Sequence, residues 1–561
     1  MCAVEFNYSY QKDSLVDNRA TRTNVSFAPD TRRAPTFFRG ELRKNIAFRE
    51  GISTLHDVVI SDLRWKPKDN TAYKVWLAQQ DEVDWAAVAQ QKEVAEELKT
   101  LRAELNDLRA SQARRMQPFY TAQQKYFSYL YQRDKDAWYV LDPVITVHPD
   151  ELFFECFSRD ESSYGRLGVG YDVFKNVGEF ACGTTNIDYS SALYDEFQKV
   201  RSYKTTQFEI DPGGFEVKTT NEESYKEVKI DLPDSWVRGF LQVSSAMSLP
   251  AATFQLHPMD VHNICLILRR NREIKGPRAM RYQLSPGRPI KIIFEPWNTE
   301  LTCARSIYQG DQEDEIRVWG RRRIHILERL IPVARSFTVQ LLGKGMPSFY
   351  TADLGDMNFT LGLSGWTAND WSSAGNFDLL APRADVDSAT KLRVFEALSE
   401  TWYESPDSLA TRLGLDRSVV LGALSAWTQA GRTIWDPNRK VYRIRELTRD
   451  PLPMDQLRFS NEREQHATRF LDQKAVRIKS QFTAENDVRV LEGTVAGPRT
   501  KFKPSLKIDS DERIIAGECS CNWHQQNRLR MGPCEHILAL RMQFAKENQP
   551  SRLKSLFQKI V

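Results

Sequence analysis

The chain has 561 residues, of which 41% are hydrophobic and 27% are charged. This length exceeds what one hydrophobic core usually supports, and the composition excludes a chain that is disordered throughout. The formal net charge of +4 is too small to indicate a polyanion partner by itself. Neither a membrane-length apolar run nor a leader pattern is present, so we expect a multidomain cytoplasmic protein without membrane contact.

Residues 1–80 mix short apolar runs with proline and glycine, which favours a small N-terminal α+β region. Residues 81–118 then become rich in Ala, Glu, Leu and Lys, and their apolar residues alternate at spacings of four and three. This pattern predicts a coiled-coil-like helical arm of two to three heptads. An arm packed on its own protein is favoured over a parallel dimer. The apolar positions of the arm are Val94, Leu98, Leu101, Leu105 and Leu108.

Residues 119–383 alternate β-rich segments with glycine and proline turns, and we predict a β-rich core. Two basic stretches within it could contact nucleic acid, through phosphate contacts and base stacking. The alternative for both is a solvated face with local ion pairs. The first stretch contains Arg269, Arg270, Arg272, Lys275, Arg278, Arg281, Arg288 and Lys291. The second contains Arg317, Trp319, Arg321, Arg322 and Arg323.

Residues 385–450 predict three short helices followed by a hairpin. Ser405 is placed to cap the second helix, Pro406 to begin it and Gly414 to end it. The third helix is predicted to begin after Asp416, and the hairpin turn to lie at residues 436–438. This order resembles a winged helix-turn-helix domain.

The recognition helix of such a domain would read bases through polar side chains in its first turns. Here those turns offer little beyond Arg417. The wing offers more cations, namely Arg432, Arg439, Lys440, Arg443 and Arg445. Because phosphate contacts carry no sequence information, two alternatives stay open: a weakly specific DNA binder or a protein-docking domain.

Signatures of common enzymes are absent from the sequence. Gly343-Lys344-Gly345 lacks the spacing of a phosphate-binding loop, and Gly362-Leu363-Ser364-Gly365 is one residue short of a nucleophile elbow. We therefore expect a protein that is not an enzyme and name no catalytic residues. An active site assembled from distant residues of the β-rich core is the remaining alternative.

The clearest pattern lies in residues 460–561, where Cys519 and Cys521 are followed by Cys534 and His536. Two thiols separated by one residue point to the same face of a strand and can share one ion. Three thiolates and an imidazole are a typical complement for structural Zn²⁺, and they leave no open position for a reactive water. We predict one structural zinc ion. The alternative is that His524 replaces one of these ligands.

The order CSC, then CEHILAL after twelve residues, with β-like sequence before and a helix after, resembles the SWIM zinc finger. The segments APTFFRGELR, KGMPSFY and FTLGLSGWTANDW extend the resemblance to bacterial SWIM zinc finger proteins. It implies a ββα-type zinc module that binds DNA or proteins without catalysis. It also implies partner proteins such as an AAA+ ATPase complex, and a place in a larger assembly or in anti-phage defence.

Together these patterns predict an α+β multidomain protein with a β-rich core, a helical arm, a winged helix-like domain and a C-terminal SWIM zinc module. The expected function is that of a zinc-binding, non-enzymatic protein associated with DNA or other nucleic acid. Its zinc module and winged helix would form the binding platform. The alternative is a protein-binding adaptor or scaffold subunit of a bacterial assembly.

Overall fold

The structure is a computed structural model. It describes residues 15–18, 22–27, 36–61, 143–186, 194, 197–203, 205–210, 234–271, 279–343, 345–365, 370–372, 376–382, 386–447, 462–484, 488–497, 500–510 and 513–548. The predicted helical arm at residues 81–118 lies outside these ranges. All described residues belong to one compact unit.

Strands make up most of the described regular structure. Those before residue 300 are β1 (Leu15–Asn18), β2 (Arg22–Phe27), β3 (Phe38–Leu42), β4 (Val144–Val147), β5 (Glu151–Phe157), β6 (Ser163–Gly170), β7 (Phe174–Lys175), β8 (Gly183–Asn186), β9 (Thr205–Ile210), β10 (Ala252–Leu256), β11 (Met280–Leu284), β12 (Pro289–Phe294) and β13 (Thr299–Ile307). The later ones are β14 (Asp314–Val318), β15 (Ser336–Leu341), β16 (Ser348–Asp353), β17 (Met357–Leu363), β18 (Tyr403–Glu404), β19 (Thr433–Asp436), β20 (Val441–Ile444), β21 (Val476–Thr483), β22 (Arg489–Ala496), β23 (Lys501–Phe502), β24 (Ser505–Ile508) and β25 (Ile514–Glu518).

The described helices lie between and after these strands. They are α1 (Asn45–Ile60), α2 (Asp234–Met247), α3 (Pro258–Arg270), α4 (Ser388–Thr401), α5 (Pro406–Leu413), α6 (Arg417–Gln429), α7 (Glu462–Asp472), α8 (Asn522–Asn527) and α9 (Glu535–Asn548), with 3₁₀ turns η1 (Tyr171–Val173), η2 (Arg321–Leu330) and η3 (Phe377–Leu379). No described helix has the length and apolar character needed to cross a membrane.

Five sheets organise the described chain. The largest has eight antiparallel strands in the order β10-β15-β16-β17-β6-β5-β4-β8. A five-stranded sheet, β1-β2-β9-β3-β7, contains a parallel pair, β2 with β9. The others are β13-β12-β11-β14, β18-β20-β19, and a C-terminal sheet β21-β22-β24-β25 in which β23 pairs with β22. The described chain thus combines helices with several antiparallel sheets, which agrees with the predicted α+β class.

Helix α1 covers one face of the eight-stranded sheet. Glycine makes this close approach possible, because a Cβ at Gly51 would lie 2.8 Å from the Leu167 side chain. The opposite face packs against α2, where Phe157 contacts Phe240 with ring centroids 4.8 Å apart. Strand β5 is buried along its whole length, as expected for a strand covered on both faces.

Residues 386–447 form the predicted three helices and hairpin. Ser405 accepts a hydrogen bond from the Ser408 amide at 3.2 Å, Pro406 begins α5, and Gly414 ends it in the left-handed region. The side chain of Asp416 precedes α6 but makes no capping hydrogen bond. In the hairpin, the Asp436 carboxylate accepts hydrogen bonds from the next amides and fixes the turn.

The C-terminal sheet is larger than the expected ββα unit. Helices α7 and α9 contact each other, and α9 packs on β21, β22 and β24. A Cβ at Gly493 would lie 2.5 Å from the Leu540 side chain, so glycine allows α9 to approach the sheet closely. The helices cover one face of this sheet and leave the other to solvent, which gives the alternating burial of β22 and β24.

Candidate metal centre

The side chains of Cys519, Cys521, Cys534 and His536 converge in the C-terminal region. Their ligand atoms all lie within 4.8 Å of one another, and all four residues are buried. They could therefore hold one metal ion in a closed site made entirely of protein ligands. The four residues are the set that the sequence predicts.

Strand and helix ends bring the ligands together. Cys519 follows the last residue of β25, and Cys521 is the N-cap of α8, where its sulfur accepts a hydrogen bond from the His524 amide at 3.3 Å. Cys534 immediately precedes α9, and His536 lies in the first turn of that helix. Both ligand pairs are therefore held by regular structure.

The turn before Cys534 is fixed by two contacts. Gly532 has a φ of 85°, and a Cβ there would lie 2.6 Å from the carbonyl oxygen of Asn376, so only glycine fits. The Arg463 guanidinium donates hydrogen bonds to the carbonyl oxygens of Met531 and Pro533, at 2.9 and 3.0 Å. These contacts set the position of Cys534 from outside the ligand set.

The imidazole of His536 supports a metal ligand role. Its ring packs between Phe502, at a centroid distance of 4.0 Å, and Phe470, at 5.3 Å. Both ring nitrogens are buried and have no hydrogen-bond partner among the residues that the structure describes. A buried polar atom without a partner costs free energy, and coordination of a metal would remove that cost. The donor set therefore fits a metal ion.

The three thiols perturb one another. Hydrogen bonds from Cys519 and Cys534 lower the pKa of Cys521. The hydrogen bond between Cys519 and Cys521 raises the pKa of Cys519 to about 11. Hydrogen bonds with Cys519 and Cys521 raise the pKa of Cys534. One thiolate thus forms readily, and a cation would be needed to hold three together.

His524 is buried, and it does not join the four ligands. Its ring nitrogens have no hydrogen-bond partner, and burial lowers its pKa. The group of converging ligand atoms therefore gives no support to the alternative in which His524 replaces one of the four ligands. Its side chain lies in the interior beside the site.

We expect His536→Ala to weaken metal affinity by more than about 100-fold, because loss of a ligand should exceed the cost of changes around the site. His524→Ala is the matched control and should keep its metal. Metal content after dialysis, measured by inductively coupled plasma mass spectrometry, distinguishes the two. If His536→Ala kept its metal and His524→Ala lost it, His524 and not His536 would be the fourth ligand.

Most predicted nucleic-acid contacts that the structure describes form ion pairs with carboxylates. The pairs join Arg269 to Glu328, Arg281 to Glu295 and Glu315, Arg417 to Asp407, Arg432 to Glu446, and Arg439 to Asp150. Arg270 and Lys440 are exposed and pair with no described carboxylate. Arg272, Lys275 and Arg278 lie outside the described residues. These ion pairs agree with the alternative interpretation of the basic stretches, in which they form a solvated face with local ion pairs.

Arg443 requires a correction. Its side chain is fully buried, and its guanidinium pairs with Asp150 at 2.9 Å, Asp436 at 2.9 Å and Glu151 at 3.4 Å. Arg445 is equally buried and pairs with Glu155 at 3.1 Å. Neither side chain can meet a phosphate. They attach the hairpin to the eight-stranded sheet.

His148 completes this buried ionic cluster. Its Nε2 donates to the carbonyl oxygen of Ile444 at 2.6 Å, and its Nδ1 lies 3.4 Å from the Arg443 guanidinium. Burial, followed by the charge of Arg443, lowers the pKa of His148 to about 3. The imidazole is thus neutral at pH 7 and can accept a hydrogen bond from Arg443.

Two arginines of the second basic stretch are also buried. Arg321 donates to the carbonyl oxygen of Ala279 at 2.6 Å and stacks on Trp297. Arg323 lies 3.9 Å from Asp160.

Helix α6, the predicted recognition helix, packs against α2, and Gln429 donates to the Ser245 hydroxyl at 2.7 Å. Several residues that the sequence assigned to nucleic-acid contact are therefore buried in the protein or packed against other elements of it.

A set of cations that the sequence patterns did not indicate lies on the solvent face of the C-terminal sheet, which we call the outer face. Phe502 points inward to His536, so its neighbours Lys501 and Lys503 point outward. Lys507 lies between the buried Leu506 and Ile508, and Arg477 pairs with Thr494 on the same face. All four cations are exposed, and none pairs with a described carboxylate. The alternation of cationic with apolar residues along the strands is the sequence pattern that could have indicated this face.

No family model matches the chain, and no curated protein matches it. Among solved structures it is similar to the proliferating cellular nuclear antigen from Entamoeba histolytica, with a TM-score of 0.29 and 10% sequence identity. That match covers 40% of this chain and 90% of the other. A likeness at this TM-score carries no argument about fold or function.

Proposed function

We propose that this is a zinc-dependent, non-enzymatic nucleic-acid-binding protein whose contact surface is the outer face of the C-terminal sheet. The observation that carries the proposal is the group of exposed cations on that face, none of which pairs with a carboxylate among the described residues. The winged helix-like segment, residues 386–447, has a structural role in this proposal, because its hairpin is attached to the core by buried ion pairs.

The donor set favours zinc as the metal. Thiolates and imidazole are soft or borderline ligands, whereas Mg²⁺ and Ca²⁺ prefer oxygen. Four buried protein ligands leave no position for substrate or reactive water, so the ion would stabilise the fold. In the proposal, zinc holds the end of β25 against the start of α9 and thereby maintains the sheet.

Charge is the first property that suits the outer face to a polyanion. Lys501, Lys503, Lys507 and Arg477 are joined by the exposed Lys479 on the edge strand β21. The exposed carboxylates on the same strands are fewer, namely Glu492 and Glu518, and Glu492 accepts a hydrogen bond from Ser480. Unpaired lysines can neutralise phosphates without first breaking an ion pair.

An exposed aromatic residue is the second property. Phe482 is 53% exposed and pairs across the sheet with Val490, which in turn pairs with Lys507. A phenyl ring beside cations on an open sheet provides a surface on which an unpaired base can stack. The outer face therefore favours single-stranded nucleic acid over a duplex whose bases are already stacked.

The triple substitution Lys501→Ala, Lys503→Ala and Lys507→Ala should weaken binding of a labelled single strand. Each lost phosphate contact should lower the slope of log affinity against log salt by about 0.7. We therefore expect a slope smaller by about 2, measured by fluorescence anisotropy across a salt series. Metal content should be unchanged.

A matched control removes three exposed, unpaired cations elsewhere. Arg288→Ala, Lys291→Ala and Arg305→Ala change the net charge equally on another sheet. This control should bind as the unmodified protein does. Binding lost in the control but kept in the lysine variant would move the site to the first basic stretch and contradict the outer face.

The alternative proposal is a protein-binding adaptor or scaffold subunit, with an AAA+ ATPase complex among its partners. In this alternative, residues 386–447 would contact a partner outside α6 and the hairpin, which already pack on the rest of the chain. An adaptor would show no salt-dependent binding of nucleic acid, so the same titration separates the two proposals.

A further inference from the structure

A second group of metal-ligating side chains lies where α3 meets η2. Cys265 belongs to α3, and His325 and Glu328 belong to η2. One ligand atom from each of the three residues lies within 4.8 Å of the others. None of these residues contributes to the Cys₃His site.

The group has one buried ligand and two ligands that are partly exposed to solvent. Cys265 is fully buried, whereas the side chains of His325 and Glu328 are 32% and 30% exposed. His325 Nδ1 lies 3.2 Å from a Glu328 carboxylate oxygen, so imidazole and carboxylate already face each other. An ion bound here would have the sulfur below it and solvent on the opposite side.

We propose that Cys265, His325 and Glu328 form a second site for a borderline transition-metal ion such as Zn²⁺ or Co²⁺. One thiolate, one imidazole and one carboxylate suit these ions better than Mg²⁺ or Ca²⁺. Three protein ligands leave a fourth, solvent-facing position open. This site thus differs in kind from the closed Cys₃His site.

Binding would require two local changes. The Cys265 thiol donates to the carbonyl oxygen of Ile324 at a sulfur-to-oxygen distance of 3.9 Å. Its proton would pass to solvent as the metal–sulfur bond forms. The Arg269 guanidinium holds both oxygens of Glu328, and because its side chain is 61% exposed it can withdraw into water. Neither change requires movement of the core.

The test is equilibrium dialysis against Co²⁺ of the full chain loaded with a single equivalent of zinc, which the closed four-ligand Cys₃His site should take first. Both metals are counted, and the near-ultraviolet thiolate-to-cobalt charge-transfer band is recorded. We expect one equivalent of cobalt in addition to retained zinc, with the band present. Cobalt gained only in exchange for zinc, or no cobalt bound, would overturn the proposal.

Variants assign the ligands. Cys265→Ser should abolish the band, whereas Cys303→Ser should keep it, since Cys303 is another buried thiol outside the group. His325→Ala changes a half-exposed side chain and should lower cobalt affinity at least tenfold, even if Cys265→Ser fails to fold. Cobalt affinity unchanged in His325→Ala would contradict the site.

Discussion

Cys519→Ser is expected to release the metal and unfold the C-terminal sheet with α9. The remaining three ligands cannot complete a tetrahedral site, and structural zinc supplies on the order of 10 kcal/mol to folding in zinc-finger peptides. Zinc content should fall by one equivalent, which is the ion of the Cys₃His site. In hydrogen exchange, peptides covering β22, β24 and α9 should lose protection.

The effect should stay local. The eight-stranded sheet has its own buried core, for example Phe153 and Phe157, and should keep its slow exchange. Cys182→Ser is the matched control, because Cys182 is a half-buried thiol outside the ligand set, and it should retain both metal and protection. A Cys519→Ser protein with its full metal content would disprove the assignment of the site.

Arg443→Ala is expected to destabilise the attachment of the hairpin by about 3 to 5 kcal/mol. Removal of the guanidinium takes the central cation away from Asp150, Asp436 and Glu151, and loss of one partner of a buried ion pair is costly. Arg439 remains on Asp150, and Arg166 remains on Glu151 and Asp436. Amide exchange in β19 and β20 should accelerate at least about a hundredfold, since about 1.4 kcal/mol corresponds to a factor of ten.

Arg439→Ala is the control for this change. Arg439 pairs with the same Asp150, but its side chain is 48% exposed, so we expect a loss of no more than about 1 kcal/mol. If Arg443 were instead a phosphate contact, Arg443→Ala would weaken nucleic-acid binding and leave exchange in the hairpin unchanged. That outcome would restore the sequence-based assignment of the wing.

Local patterns made part of the fold predictable. Ser405, Pro406 and Gly414 bound α5 as expected, because capping and turn chemistry act within a few residues. The four candidate metal ligands were predictable for the same reason, since the two residues of each pair are separated by only one position. That the two pairs lie close enough to share one ion could be seen only in the tertiary structure.

The role of Arg443 was not predictable in this way. A basic residue in a hairpin has the same local sequence whether its partner is a phosphate or a distant carboxylate, and Asp150 lies 293 positions away in the chain. Burial of the partners, which decides between these outcomes, depends on how β5 packs. The physical reason for the failed prediction is thus long-range ion pairing.

The outer face was missed for a different reason. Lys501, Lys503 and Lys507 alternate with apolar residues and do not form a dense basic run. Their significance comes from the sheet, which collects them with Arg477 from another strand on one face. Cross-strand neighbours of this kind are set by which strands pair and in what register, and the sequence of a single strand does not show this.

The most direct test of the proposed function is a fluorescence anisotropy titration of the metal-loaded full chain with a labelled single strand, across a salt series. We predict binding that weakens steeply as salt increases, and little binding by the Cys519→Ser protein, which lacks the ion of the Cys₃His site. No binding by the metal-loaded protein even at about 50 mM salt would contradict the account and leave the adaptor alternative in its place.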